Sequence, residues 1–267
     1  MKENTAVHYF LQEIKESLGI SFGMSVLAGA ICIILDCGTD VLFVMKPVQD
    51  LSVFSYIGTY FPSGFYGTFV FAPLMALPYG LSYYRDYNAG IIQTVAARIG
   101  VSVYCIGKVL GAFLSSFLSC VCSMTISVEI LHLFLPLATD ETAIGLDGSP
   151  FITLIASGNY PEYFTIFIFL MGLWCGIYGV IVLCTSVYVI NAYVCIAAAV
   201  VRTYGITVLL NILNVGVACR PSSWFKCSMS PFSDKWTFLS CLFLTLASVF
   251  ILMVVFRRKV NLRLRNE

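Results

Sequence analysis

Charge is scarce in this chain. Asp, Glu, Lys and Arg make 11% of its 267 residues, against about 25% in a soluble domain, which excludes an ordinary soluble fold. Histidine is nearly missing, with only His8 and His132. No G-x-x-x-x-G-K-[ST] run occurs, so the chain is not expected to bind ATP itself. Neither H-E-x-x-H nor G-x-S-x-G appears. The apolar segments also offer no paired acids or Ser/His set, which disfavours an intramembrane hydrolase or lipid transferase. The expectation is a chain that is not an enzyme, binds no cofactor and carries no nucleic-acid signature. A cleavable signal peptide is not expected either. Residues 1–17 hold three acids and two lysines before the first apolar run, and no A-x-A step follows.

What the chain does have is apolar length. Hydrophobic residues make 59% and aromatics 15%, with a mean hydropathy of +0.91. This predicts an all-α polytopic protein of the cell membrane, with residues 1–267 as one transmembrane domain. A helix crosses the hydrocarbon core with about 20 apolar residues, and six segments qualify: 18–35, 63–83, 101–125, 163–183, 192–213 and 236–256. Pro73 and Pro78 should kink the second. Residues 163–201 carry no formal charge and are too long for one helix, so a tight polar turn is expected at 188–191. Most of the 11 cysteines lie in these runs, where a thiol acts as a small hydrophobe. Cys219 and Cys227 share a polar loop, and two readings stay open for them: a disulfide if that loop is outside, or free thiols.

Orientation follows the basic residues. With the N-terminus inside, the inner segments hold Lys2, Lys15, Arg85, Arg98, Lys108, Arg257, Arg258, Lys259, Arg263 and Arg265. The outer loops hold only Lys46, Arg220, Lys226 and Lys235. Both termini are therefore expected in the cytosol. The tail RRKVNLRLR reads as an anchor near anionic lipid. Residues 7–18 form an amphipathic stretch, with Tyr9, Phe10, Ile14 and Leu18 on one face and Gln12, Glu13, Lys15 and Glu16 elsewhere. It reads as an interfacial helix or as a solvated leader. The outer loop 214–235 mixes Trp224, Phe225 and Phe232 with Pro221 and Pro231, which suits short helices dipping back toward the membrane.

One polar island stands between two uncharged runs. It spans residues 84–108 and reads RDYNAGIIQTVAARIGVSVYCIGK from Arg85. Ile91, Ile92 and Val95 can form a short apolar stripe, with Gln93, Thr94 and Arg98 on other faces. Gly90 permits a sharp turn into that helix. An ordinary cytosolic loop could share this pattern.

At these residues the chain resembles the membrane subunit of type 2 ATP-binding cassette exporters, especially the small permeases of Gram-positive bacteria. Asp86 falls at that family's acid, Gly90 at its glycine, Ile92 at its apolar position, Arg98 at its first arginine and Lys108 at its lysine. Val101, Ser102 and Val103 stand where the family often has a second arginine. The resemblance extends to the amphipathic leading helix, the six spans, the inner termini and the polar turn YVINAY (188–193). It implies a permease that works as a homo- or heterodimer with a separate cytosolic ATPase, on which ATP and Mg would bind. Asp86, Tyr87, Asn88, Gly90, Ile91, Ile92, Gln93, Arg98 and Lys108 would form the coupling helix and its anchors. Export of an antimicrobial peptide or drug is the implied activity, with a non-transporting scaffold or sensor subunit as the alternative.

Arg202 is the one basic residue well inside a predicted span, which makes it a functional candidate. With Tyr204 and Asn211 it reads as a substrate-pathway contact, or as a structural partner of Glu129 or Glu162. Small-x-x-x-small steps at Gly19/Gly23, Gly107/Gly111 and Gly172/Gly176 read more as intramolecular packing than as a dimer seam. Glu129, His132, Asp140 and Glu141 are acids and a histidine of an outer loop, and no metal site is expected there.

Overall fold

A computed structural model describes residues 2–44, 52–138 and 148–266. Every regular element among them is helical, and no strand is present among the described residues. Five stretches are long and apolar enough to cross a membrane: Val7–Asp36, Val101–His132, Tyr160–Tyr188, Ala192–Ile212 and Asp234–Arg265. The first joins helix α1 (Lys2–Ser17) to α2 (Ile20–Val44). The others correspond to α7 (Val101–His132), α9 (Tyr160–Tyr188), α10 (Ala192–Ile212) and α12 (Asp234–Asn266). This is consistent with a membrane protein.

The predicted second span, 63–83, is not one continuous helix. π-helical turns cover Phe54–Tyr60 and Tyr66–Val70, around the short α3 (Phe61–Ser63). The regular helices α4 (Phe71–Gly80) and α5 (Ser82–Asn88) follow. The break falls at Gly64, whose ψ of 167° is extended. Gly67 then approaches the Phe61 carbonyl so closely that a Cβ would collide with it, which is why only glycine fits. Pro78 lies inside α4 and cannot donate to the carbonyl four residues back, that of Leu74. Ser25 of α2 supplies the missing hydrogen, its Oγ donating to Leu74 O at 2.8 Å. Such repair is what an apolar environment demands of a broken helix.

α7 and α9 form the centre of the bundle and run antiparallel. α9 presents a glycine face to α7: Gly172 meets Phe117 and Val121, Gly176 meets Phe113, and Gly179 meets Ser116 and the Ala112 carbonyl. Two of the small-x-x-x-small pairs thus serve packing within the chain, Gly172/Gly176 here and Gly107/Gly111 against Tyr9 and Tyr79. A serine seam joins α7 to the two leading helices: Ser115 Oγ donates to Ser17 O at the end of α1 at 2.9 Å, and Ser123 Oγ lies 3.0 Å from Val26 O of α2. The predicted polar turn between α9 and α10 is present. Asn191 caps α10, its Oδ1 accepting from the Tyr193 and Val194 amides.

Two buried clusters mark the ends of the bundle. One gathers Tyr79, Tyr104, Ile92, Val187 and Phe256 around the island. The other gathers Phe54, Tyr163, Trp174 and Phe225 around the remote end. α1 and the last turns of α12 both lie at the island end, through Tyr9 and Val260.

An ideal Cβ at Gly179 lies 2.6 Å from the Ala112 carbonyl, whereas one at Gly23 meets nothing within 4 Å. Gly179→Ala should therefore destabilise by about 1–3 kcal/mol, and Gly23→Ala by less than about 0.5 kcal/mol. Thermal melting of the detergent-purified protein distinguishes them.

Candidate functional site

Lys108 sits two turns into α7 and is buried, with its side chain 3% exposed. A helical side chain leans toward its own N-terminus, which carries this ammonium to the island. Nζ lies 2.9 Å from Asp86 Oδ2 at the end of α5 and 3.1 Å from Glu13 Oε2 of α1. It also donates to the Tyr79 hydroxyl at 3.3 Å. Tyr104 donates its hydroxyl to the same Asp86 oxygen at 2.9 Å. The ammonium further lies 5.3 Å from the Tyr79 ring centre and 5.7 Å from that of Tyr104. One cation thus joins the leading helix, the broken second segment and a spanning helix.

Asp86 and Lys108, the first and last of the predicted coupling residues, are brought into contact. Glu13, Tyr79 and Tyr104 complete the site and are not among those residues. Glu13 is expected on a polar face of α1 and is instead buried. The packed stripe of α1 is Tyr9, Glu13 and Ser17, at four-residue spacing. Its exposed apolar stripe is Val7, Leu11, Ile14 and Leu18, so the predicted face of Tyr9, Phe10, Ile14 and Leu18 is divided. Four-residue spacing from Tyr9 was the available signal, masked because Glu13 is charged.

Beyond Asp86 the chain turns at Gly90, whose φ of 67° favours glycine. It then forms α6 (Ile92–Ile99) and turns again at Gly100, with φ 87°. Ile92 and Ala96 are buried and Val95 is half-buried. Ile91 is 44% exposed, outside the stripe predicted for it. Asn88, Gln93, Thr94, Ala97 and Arg98 face outward. Tyr87 lies under Arg263 of α12, ring centre to guanidinium carbon 5.1 Å. A cavity of about 350 Å³ opens between the island and α12, bordered by Tyr87, Gly90, Gln93 and Arg263.

The predicted pathway residues do not converge. Arg202 turns toward α9, its guanidinium 5.8 Å from the Tyr178 ring centre. Glu129 and Glu162 are exposed, and Arg202 forms no ion pair with either among the described residues. Tyr204 is exposed beside Phe69, and Asn211 is exposed. Glu129 and His132 border a cavity of about 400 Å³ between α7 and α9. Asp140 and Glu141 lie outside the described residues. No group of three or more potential metal ligands occurs among the described residues.

The remote end holds a third cavity, of about 430 Å³. Its roof is the segment 217–228, with a short 3-10 turn and α11 (Pro221–Phe225), and the short α8 (Ile152–Ala156) adds Ile155 to its wall. The expected short helices are present in this loop, and Phe225 is buried against Trp174. Cys219 and Cys227 are both free. Lys226 borders the cavity, and burial lowers its pKa from 10.5 to about 8, slightly opposed by the nearby Cys175.

Compared with protein-family models, curated proteins and solved structures, the chain matches none. Its class accordingly stands on its own architecture: a helical bundle with five membrane-length apolar helices and a charged island tied to its core.

Breaking the buried pair should leave two carboxylates facing each other. Lys108→Met should destabilise by about 3–5 kcal/mol. Adding Glu13→Gln and Asp86→Asn should recover much of that loss, read by melting in detergent. Lys226 gives a pH signature. Its folded-state pKa lies below the unfolded value, so between about 8 and 10.5 the unfolded chain holds more protons. Stability of the parent relative to Lys226→Met should rise as pH climbs through that window, and a flat difference would contradict the burial.

Proposed function

We propose that this chain is the membrane-spanning permease subunit of an ATP-driven exporter and takes its power stroke through the island. The observation that supports this reading is the Glu13–Lys108–Asp86 contact. A force applied to α6 reaches α7 and α1 through short ion pairs rather than through a slack loop. The helix is only eight residues long, held by glycine turns at both ends, with Ile92 and Ala96 toward the bundle. Gln93, Thr94, Ala97 and Arg98 are left free for a partner. The partner would be a cytosolic ATP-binding cassette ATPase that carries ATP and Mg. Closure of two ATPase copies would push the island and tilt the spanning helices. This is mechanical work through a two-state interface.

In this reading the broken segment 54–80 counts as a sixth, discontinuous crossing. Both chain ends and the island face the cytosol, in keeping with the greater number of basic residues there. The apolar stripe of α1 would lie in the inner interface of the cell membrane. α10 carries exposed Tyr193, Val201, Ile206, Leu209 and Ile212, a face for lipid or for a second permease copy, identical or not. The exported substrate would be an antimicrobial peptide or a drug. The pathway contacts Arg202, Tyr204 and Asn211 remain part of this proposal.

An affinity-tagged chain purified from its native membranes should bring an ATP-binding cassette ATPase with it, identified by mass spectrometry. The double variant Gln93→Glu/Arg98→Glu, on the exposed face of α6, should fold and lose that subunit at least tenfold, as expected when a rim of charge is reversed. Purification of the parent chain without any such ATPase would sink the proposal.

A further inference from the structure

The remote cavity carries charge of one sign. Arg220 and Lys226 both border it, and no Asp or Glu does so among the described residues. Neither forms an ion pair among the described residues. Lys226 Nζ donates to the Pro62 carbonyl and reaches Thr68 Oγ1 at 3.4 Å. An ammonium has three donors, so these two contacts leave one over. Arg220 turns Nε and one terminal nitrogen to the Val215 carbonyl, at 3.0 and 2.9 Å. A guanidinium has five N–H donors, so others remain. Holding two cations in a largely apolar cleft with no acidic partner among the described residues is expensive. A bound anion would supply that charge through charge-assisted hydrogen bonds.

The rest of the wall fixes what kind of anion fits. Phe54, Ile155, Tyr163, Trp174 and Val217 form the apolar part of the lining, which is completed by serines and threonines. The volume, about 430 Å³, lies in the range of drug-sized ligand sites, about 300–1,000 Å³. A bare inorganic ion would leave the aromatic wall dry and unfilled. A cationic peptide would meet charge of its own sign. The ligand that satisfies both halves has a single anionic head and an apolar body. The cavity also lies where such a molecule is at hand. Tyr163 lies in the first turn of α9 at this end of the bundle, whereas Val187, near the other end of α9, joins the island cluster. Thr207 of the outward-facing α10 forms part of the same wall. A third cation lies one ring away: Trp174 contacts Tyr178 at 5.3 Å between ring centres, and Arg202 sits over Tyr178. One terminal nitrogen of Arg202 is buried with no hydrogen-bond partner.

We propose that this cavity is a binding site for an anionic lipid, with Lys226 and Arg220 holding its phosphate and the Phe54–Tyr163–Trp174 wall holding its apolar body. The inference rests on the membrane placement of the bundle but not on coupling to an ATPase, so it is tested with no ATPase present.

The full-length chain is purified in an uncharged detergent and melted with dioctanoyl phosphatidylglycerol, dioctanoyl phosphatidylcholine or inorganic phosphate. The anionic lipid should raise Tm saturably. Its half-saturation should lie at least about tenfold below that of the zwitterionic lipid, the ratio expected for one charged hydrogen bond. Phosphate at the same concentration should give no shift. Lys226→Met should abolish the preference and Lys226→Arg should keep it. The chain has three tryptophans, so a Trp224→Phe/Trp236→Phe background isolates Trp174. There, brominated phosphatidylglycerol should quench fluorescence more than brominated phosphatidylcholine, a readout that holds even if Lys226→Met fails to fold. Equal binding of the two lipids, an unchanged preference in folded Lys226→Met, or equal quenching would overturn the site. A shift reproduced by phosphate alone, or an anionic peptide that binds more tightly than the lipid, would overturn the lipid assignment.

Discussion

The structure depends on where one buried ammonium can find carboxylates. Lys108 lies on a helix that is otherwise apolar for most of its length, and a lone charge there would be prohibitive. Two acids from separate elements, Glu13 and Asp86, meet it at 3.1 and 2.9 Å. Their convergence fixes the crossing of α1 over α7 and the exit of α5 from the bundle. It also determines where the island starts, since Asp86 is held and Gly90 then turns the chain. Replacing such a cluster with apolar side chains is often neutral for stability. The cluster therefore sets which elements meet rather than adding net stability over an apolar core.

The same logic, an apolar medium that leaves no polar group to water, governs the interior. Pro78 leaves the Leu74 carbonyl without its helical donor, and Ser25 answers from a neighbouring helix. Ser115 and Ser123 give their hydroxyls to carbonyls of the α1–α2 pair. With little hydrophobic gain from helix association in lipid, close backbone approach has to supply contact energy. The Gly172–Gly176–Gly179 face of α9 against Phe113, Phe117 and Ser116 does so. These contacts bind α7 and α9 into a rigid centre. α10 and α12 lie at its edge with large apolar side chains outward.

Much of this could be read from the chain. Four of the five membrane-length stretches begin within a few residues of their predicted starts, because an apolar run bounded by charge is a strong local signal. The turn at Asn191 was legible because the uncharged run 163–201 is too long for one helix, and the bend at Gly90 because glycine permits a sharp turn. The second segment was not. Composition registers its apolar residues but not the π-turns, which arise where Gly64 and Gly67 let the chain fold against Phe61. Glu13 was assigned to a polar face because charge outweighs position in an amphipathic pattern. Its burial depends on a lysine about ninety-five residues away in the sequence.

The sequence by itself determined the class of architecture, where most of the long helices begin, and the existence of a charged island between apolar runs. Each follows from local hydrophobicity and backbone preference. Only the tertiary structure decided which charges meet. It placed Glu13 and Asp86 on Lys108, left Ile91 outside the buried stripe, and set Lys226 and Arg220 around a cavity free of acids among the described residues. The physical reason is that pairing is a long-range choice. A charge carries no mark of its partner until packing brings the two within a few ångströms.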